Sequence, residues 1–294
     1  MRMSRRRFLL GGSASLAAAL VGLGVVDLSD PSLFAESGPS VGPRASREPS
    51  APSPGAVERS GSLRSRYTGS AMGWTVSVPA GPDPPRGILY CLHGYHSNHR
   101  MAFDQIHVPD AAASVGLRVV VAAVDGGADS YWHKRSDGTD AGSMLLEEFV
   151  PLVRGMVGRL PQALMGWSMG GYGALLAAEH AAERAAEGAA SAFVAVAPAS
   201  PALWLTPGAT APGAFDSPAD FYANDVFTGI SRLHNMTVAV ACGESDPFYQ
   251  ATRELVAGMD YPHRAFFGPG SHDDAYWRSA APAQLGVLLA AFGR

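Results

Sequence analysis

Six apolar runs of strand length recur along the chain, at residues 87–92, 117–124, 163–166, 192–196, 237–242 and 263–267, and helical stretches separate most of them. The helical candidates cover 101–115, 144–158, 169–186, 248–257 and 282–292. Strands that alternate with helices predict an α/β fold, with a mostly parallel central sheet covered by helices on both faces. Residues 73–78 alternate between apolar and polar and predict an earlier antiparallel strand with one half-buried face. One segment breaks the rhythm. Residues 198–235 join two strands through Trp204, Pro207, Pro212, Phe215, Pro218, Phe221, Tyr222 and Phe227. A connection of this length in a compact domain is more often functional than idle, so it is read as a lid or wall over a site, against a packed surface excursion with one short helix.

With 47% hydrophobic and 16% charged residues, the 294-residue chain has ample material for a buried core. Its 22 basic residues stand against 26 acidic ones, and Lys134 is the single lysine, so there is no basic stripe of the kind nucleic acids need. Two cysteines, Cys91 and Cys242, exclude a disulfide-rich scaffold, a four-cysteine zinc site and a cysteine-ligated iron–sulfur cluster. No internal repeat suggests a solenoid or propeller.

The N-terminus carries a separate message. Arg5, Arg6 and Arg7 precede an apolar run from 8 to 26, the pattern of an export signal. Ser4-Arg5-Arg6-Arg7-Phe8-Leu9-Leu10 resembles the bacterial twin-arginine consensus, which implies the twin-arginine export machinery as a partner and a secreted or envelope-associated product. The run is borderline in length for a membrane span and lacks a clean cleavage site, so anchored and released forms both remain open. Residues 29–62 are dominated by Pro, Ser, Gly and Ala, as in a linker. The expected division is a signal at 1–35, a linker at 36–62 and one domain at 63–294.

The chemistry centres on Gly166-Trp167-Ser168-Met169-Gly170, which lies between an apolar run and a helical stretch. That is the strand, turn and helix context a G-x-S-x-G motif requires, with the serine on a tight turn and glycines where side chains would collide. Glycine costs helix stability relative to alanine, yet Gly170, Gly171 and Gly173 crowd this helix start. A serine hydroxyl is a weak nucleophile and needs a base and an orienting acid, which in this arrangement follow in the order serine, acid, histidine. His272 follows the last strand and is the candidate base. Asp246, in the loop after residues 237–242, is the preferred acid; Glu244 can substitute, and Asp225 is a more distant rival. Asp273 and Asp274 read as loop solvation or local caps. The amide of Met169 and that of Tyr95, after the strand at 87–92, are the candidate oxyanion donors. Trp167, Trp204, Tyr276 and Trp277 are candidates for contact with substrate. His93, His96 and His99 raise a metal site as a rival, but spacing by three along a loop does not aim three rings at one ion.

Together, His93-Gly94-Tyr95, Gly166 to Gly171, Gly243-x-x-Asp246 and His272-x3-Tyr276-Trp277 resemble the esterase D and antigen 85-like branch of the α/β-hydrolases, over residues from about 65 to the C-terminus. The resemblance implies the α/β-hydrolase fold and an acyl-enzyme mechanism without metal or organic cofactor. It also implies small-molecule or lipid ester substrates, or, in the antigen 85 proteins, mycolyl transfer between trehalose lipids. Those transferases carry a glutamate as acid and an aspartate before the oxyanion-turn glycine, where this chain has Asp246 and His93. The expectation is therefore a serine esterase ahead of an acyltransferase, with a non-catalytic envelope binding protein as a third reading. The strand order implied by the resemblance separates Cys91 from Cys242 by two strands, too far for a disulfide.

Overall fold

The computed structural model describes residues 56–187 and 193–293. The signal and most of the linker, residues 1–55, lie outside the described residues. Eight strands form one sheet: β1 (Ala56–Arg64), β2 (Ala71–Pro79), β3 (Gly87–Leu92), β4 (Val119–Val124), β5 (Gln162–Trp167), β6 (Ala195–Ala199), β7 (Thr237–Gly243) and β8 (His263–Gly268). Their order is β1-β2-β4-β3-β5-β6-β7-β8. β4, β3 and β5 to β8 run parallel to one another, and β2 is antiparallel to both of its neighbours. β3, β4, β5 and β6 are buried at every residue, as strands covered on both faces must be.

Two cores result. On one face pack α3 (Ala141–Met144), the π-helical turn Leu145–Phe149, α4 (Val150–Val157), α5 (Met169–Ala186) and α8 (Tyr249–Ala257). On the other pack α1 (Met101–Asp104), α2 (Val108–Ser114) and α9 (Asp274–Ala291). α9 begins eight residues before the expected start at 282. Asp273 caps it through Tyr276 N, and Pro282 lies inside the helix rather than opening it. The helical stretch expected at 101–115 is broken at His107, whose φ of 56° is left-handed.

The linker expectation is corrected at its end: residues 56–62 belong to β1, which pairs with β2 over nine residues from Ala56↔Pro79 to Arg64↔Ala71. β1 is an edge strand with mostly exposed side chains, so it carries no apolar signature. β6 is also shifted, three residues beyond 192–196, because it includes Pro198. Proline has no N–H to donate to a ladder. The buried Gln284 of α9 spans the weak point, donating from Nε2 to Pro198 O and Ala239 O at 2.9 and 2.7 Å. Cys91 on β3 and Cys242 on β7 are free and buried, with β5 and β6 between them; burial pushes both thiols up.

The segment from 198 to 235 is a packed wall. It contains 3-10 turns at Pro207–Ala209 and Ile230–Asn235 and the short helices α6 (Pro218–Ala223) and α7 (Val226–Gly229). Side chains from other elements pin it: Arg135 holds Asp216 and Gly213 O, Tyr172 Oη donates to Asn224 O, and Tyr261 Oη donates to Ile230 O. The Arg135 guanidinium and the Ser136 N–H hold the Asp216 carboxyl well below the usual range.

Behind this wall lies a buried carboxyl. Glu179 of α5 is 2% exposed, and a Cβ on Gly229 would lie 1.9 Å from its Oε2. Burial pushes Glu179 well above the usual carboxylate range; Arg232 opposes the rise, and Asp225 and Glu183 add to it. The fold therefore holds a proton that the unfolded chain releases at about pH 4.3. This contribution is complete below that pH and is lost as pH rises toward the folded value. Glu179→Gln, neutral throughout, is expected to gain in melting temperature on the wild type as pH is raised from about 5 to about 9. Melting curves that stay parallel across that range would mean that Glu179 is already ionised in the fold.

Candidate active site

Ser168 sits between β5 and α5 with φ 54° and ψ −120°, a backbone conformation rare for a residue with a side chain. Hydrogen bonds over-determine it. Its N–H donates to Ala199 O at 3.1 Å, and its carbonyl accepts from Tyr172 N and Ala202 N, both at 3.0 Å. The turn is this tight because two glycines allow it: a Cβ on Gly166 would lie 2.1 Å from Gly170 O, and one on Gly170 would lie 2.0 Å from Leu92 O. Although Ser168 is the N-cap residue of α5, its hydroxyl does not cap the helix. It meets His272 Nε2 at 2.9 Å instead.

His272 and Asp246 arrive together because the loops after β7 and β8 are joined by backbone bonds, Glu244 N to Gly268 O at 2.8 Å and Ser245 N to Gly270 O at 2.9 Å. His272 Nδ1 lies 2.8 Å from Asp246 Oδ2, and Asp246 Oδ1 accepts from Phe248 N at 2.8 Å. The Asp246 side chain is fully buried. The structure thus brings Ser168, His272 and Asp246 into one hydrogen-bonded row. The rivals lie elsewhere: Glu244 is exposed, Asp225 caps α7 through Phe227 N, and Asp273 caps α9.

The turn expected to supply an oxyanion donor abuts the serine. A Cβ on Gly94 would lie 3.5 Å from Ser168 Cβ, which puts the Gly94-Tyr95 peptide beside the hydroxyl. Met169 is the first residue of α5, where a helical N–H has no acceptor within the helix. The three histidines of this loop face three different partners. His93 Nε2 accepts from Gly126 N at 2.9 Å while Nδ1 faces Gly94 O; His96 stacks on Tyr95; and His99 Nδ1 bonds Asp125 Oδ1 at 2.7 Å. His93 thereby ties the turn after β3 to the loop after β4, and burial lowers its pKa.

Of the four residues expected to touch substrate, three are corrected. Trp167 is fully buried in the core under α9, because its position on β5 turns it to the face shared with Met165. Tyr276 is held in the same core by its hydroxyl, which donates to Phe266 O at 3.1 Å. Trp277 meets the His272 ring edge-on, with centroids 5.0 Å apart, and supports it from behind. Trp204 lies on the opposite core and approaches the site through one ring. It meets Phe248 at 5.4 Å, and Phe248 in turn meets His272 at 5.2 Å. Two residues not anticipated complete an arc of rings. Tyr131 lies between Tyr95 and Trp204, at 6.3 and 5.6 Å, and Phe248 lies between Trp204 and His272.

Behind Trp204 the rings leave a cavity of only about 10 Å³, lined by residues that include Tyr172, Phe215 and Phe227. A larger cleft of about 570 Å³ lies at the opposite end of the sheet, beside Thr237 and His263 where β7 and β8 begin. Sites in sheets of this kind form at the carboxyl ends of the strands, where Ser168, Asp246 and His272 all stand.

A parallel sheet with helices on both faces, and a serine, histidine and aspartate joined in that chain order across its strand ends, define a serine hydrolase of the α/β-hydrolase class. The model of the Esterase family, described as "Putative esterase", matches residues 65–287, and the chain belongs to that family. Its activity is the hydrolysis of carboxylic esters through a serine. A search of the curated proteins found no match. Among solved structures, the fold is similar to a ferulic acid esterase at 20% identity and a TM-score of 0.65, covering 80% of this chain and 98% of that one. It is also similar to the fluorophosphonate-binding serine hydrolase FphF of Staphylococcus aureus, at 18% identity and a TM-score of 0.62 over 80% and 98%. A third likeness is the S-formylglutathione hydrolase of Agrobacterium tumefaciens, at 18% identity and a TM-score of 0.62 over 79% and 94%.

Proposed function

We propose that Ser168 is the nucleophile of an exported carboxylesterase, with His272 as general base and acid, Asp246 as its orienting partner, and the Met169 and Tyr95 amides as the oxyanion donors. What supports this reading is the row Asp246–His272–Ser168, with its separations of 2.8 and 2.9 Å. With Nδ1–H donating to Asp246, His272 presents a bare Nε2 to the serine hydroxyl. Ser168 Oγ attacks the ester carbonyl carbon and passes its proton to Nε2. The oxyanion is held by the two backbone N–H groups until collapse expels the alcohol oxygen, which takes the proton from Nε2. Water, activated by the same imidazole, then releases the acid and frees the serine.

The Tyr95, Tyr131 and Trp204 rings of the arc form the wall against which the acyl group rests. The similar solved structures include a ferulic acid esterase and an S-formylglutathione hydrolase, which supports a flat or compact acyl group here. The Arg5-Arg6-Arg7 signal supports export by the twin-arginine machinery to the cell envelope or beyond. The antigen 85-like resemblance concerns the frame of the site and not the acceptor, so water is the acyl acceptor in this reading. A fluorophosphonate probe is expected to form a single adduct at Ser168, and a short p-nitrophenyl ester to yield free acid whether or not trehalose is present. Labelling at another residue would overturn the assignment of the nucleophile, and acyl-trehalose as the main product would overturn the assignment of water.

A further inference from the structure

Tyr131 and Trp132, in the loop after β4, are consecutive residues with left-handed backbones, at φ 48° and 57°. A single such residue with a side chain costs stability, and a pair persists only where its surroundings over-determine it. They do so here. Trp132 N donates to Ser130 Oγ at 3.1 Å, Trp132 Nε1 donates to His93 O at 3.3 Å, and Arg135 Nη1 donates to Asp129 O at 3.1 Å. The Trp132 ring is fully buried, wedged against Gly126 and Gly173. The same turn drives the Tyr131 ring into the arc around Ser168, against Tyr95, Tyr172, Trp204 and Phe215, with centroids 5.6–6.3 Å away.

The hydroxyl is the unexplained part. Tyr131 is 3% exposed, yet among the described residues its Oη bonds no protein group. That oxygen is not among the fully enclosed orphan polar atoms, so it reaches the surface through the little exposure the residue has. The ring is thus buried while its oxygen faces outward, free to bond water or a bound molecule. Tyr131 stands at the oxyanion-turn end of the arc and is separated from His272 by Trp204 and Phe248. His272 must deliver its proton to the leaving oxygen, so the leaving group lies at the other end, and Tyr131 faces the acyl part of the substrate.

Resting on the esterase reading above, we propose that Tyr131 is a specificity-determining residue whose hydroxyl hydrogen-bonds an oxygen carried by the acyl group. The preferred substrates are then esters of oxygenated acids, with an ether, hydroxyl or phenolic oxygen a short distance from the scissile carbonyl. A purely aliphatic acyl group of the same size leaves the hydroxyl unanswered. Sites built to bond a substrate oxygen discriminate sharply against analogues that lack it.

The test compares p-nitrophenyl butyrate with p-nitrophenyl methoxyacetate, whose acyl groups differ by one methylene replaced with oxygen, in the wild type and in Tyr131→Phe. The variant is expected to lose about tenfold or more in kcat/KM on methoxyacetate relative to its loss on butyrate. Taking the ratio between enzymes cancels the intrinsic reactivity of each ester. Its melting temperature is expected to match or exceed the wild-type value, since the hydroxyl bonds nothing within the fold. Equal losses on both esters would mean a contact with the oxyanion, no loss on either would mean no contact, and a fall in melting temperature would mean a structural role; each overturns the inference. If the wild type turns over neither ester, the esterase reading falls first and takes this inference with it.

Discussion

Ser168→Ala is expected to lower kcat on a short p-nitrophenyl ester by about 10⁵-fold or more, to leave KM within a few-fold, and to abolish the pre-steady-state burst. The burst reports an acyl-enzyme, and among the described residues Ser168 Oγ is the hydroxyl that His272 Nε2 bonds. Ser200, the next serine along the chain near the site, is fully buried and lies beyond the Ser168 turn. The substitution removes one atom that the fold does not use for capping, so the melting temperature should change little. The residual rate should still exceed that of water, because the Met169 and Tyr95 amides remain in place. A variant that kept a burst would place the nucleophile elsewhere and dismantle the site described above.

Asp246→Asn is expected to cost about 10⁴-fold in kcat, for a reason specific to its second hydrogen bond. Phe248 N donates to Oδ1 at 2.8 Å, so an asparagine here keeps its carbonyl oxygen toward Phe248 and turns its NH2 toward His272 Nδ1. Two donors cannot share that position. The imidazole moves its proton to Nε2, and the nitrogen facing Ser168 becomes a donor unable to accept the serine proton. Stopped-flow and steady-state kinetics beside a thermal melt separate this from unfolding: kcat should collapse with KM and melting temperature nearly unchanged. A loss below about tenfold would show that the tautomer of His272 is set by something other than Asp246.

Legibility from sequence followed the distance over which each feature is decided. The turn at Ser168 is local. Its strand, its glycines and its helix all fall within residues 162–186, and each expresses itself in neighbouring letters. Asp246 and His272 were legible because each follows directly on a strand whose order in the sheet constrains it. Trp167, Tyr276 and Trp277 misled because lying beside a reacting residue is not the same as facing the substrate. Strand alternation turns Trp167 toward α9, and the first turn of α9 carries Tyr276 and Trp277 into the same core. Tyr131, Trp132 and Phe248 carried no motif. The one available signal was an aromatic doublet in a loop bounded by Gly126-Gly127 and Gly138, and only the ring contacts show what it does. β1 escaped because both of its faces are wet, and β6 was displaced because Pro198 suggested an end to a strand that Gln284 lets continue.

The two antiparallel pairings at the sheet edge also decide which way the enzyme points. β1 is antiparallel to β2 and β2 to β4, so β1 climbs in the same direction as the strands that carry the catalytic residues. Ala56 pairs with Pro79 at the foot of that climb, and the reacting groups crown its summit, about 20 Å above for strands of six residues. Anything fused ahead of Ala56, whether a purification handle or a surface linkage, attaches at the base of the molecule. An immobilised enzyme held there would turn the strand ends that carry Ser168, Asp246 and His272 to the bulk solution.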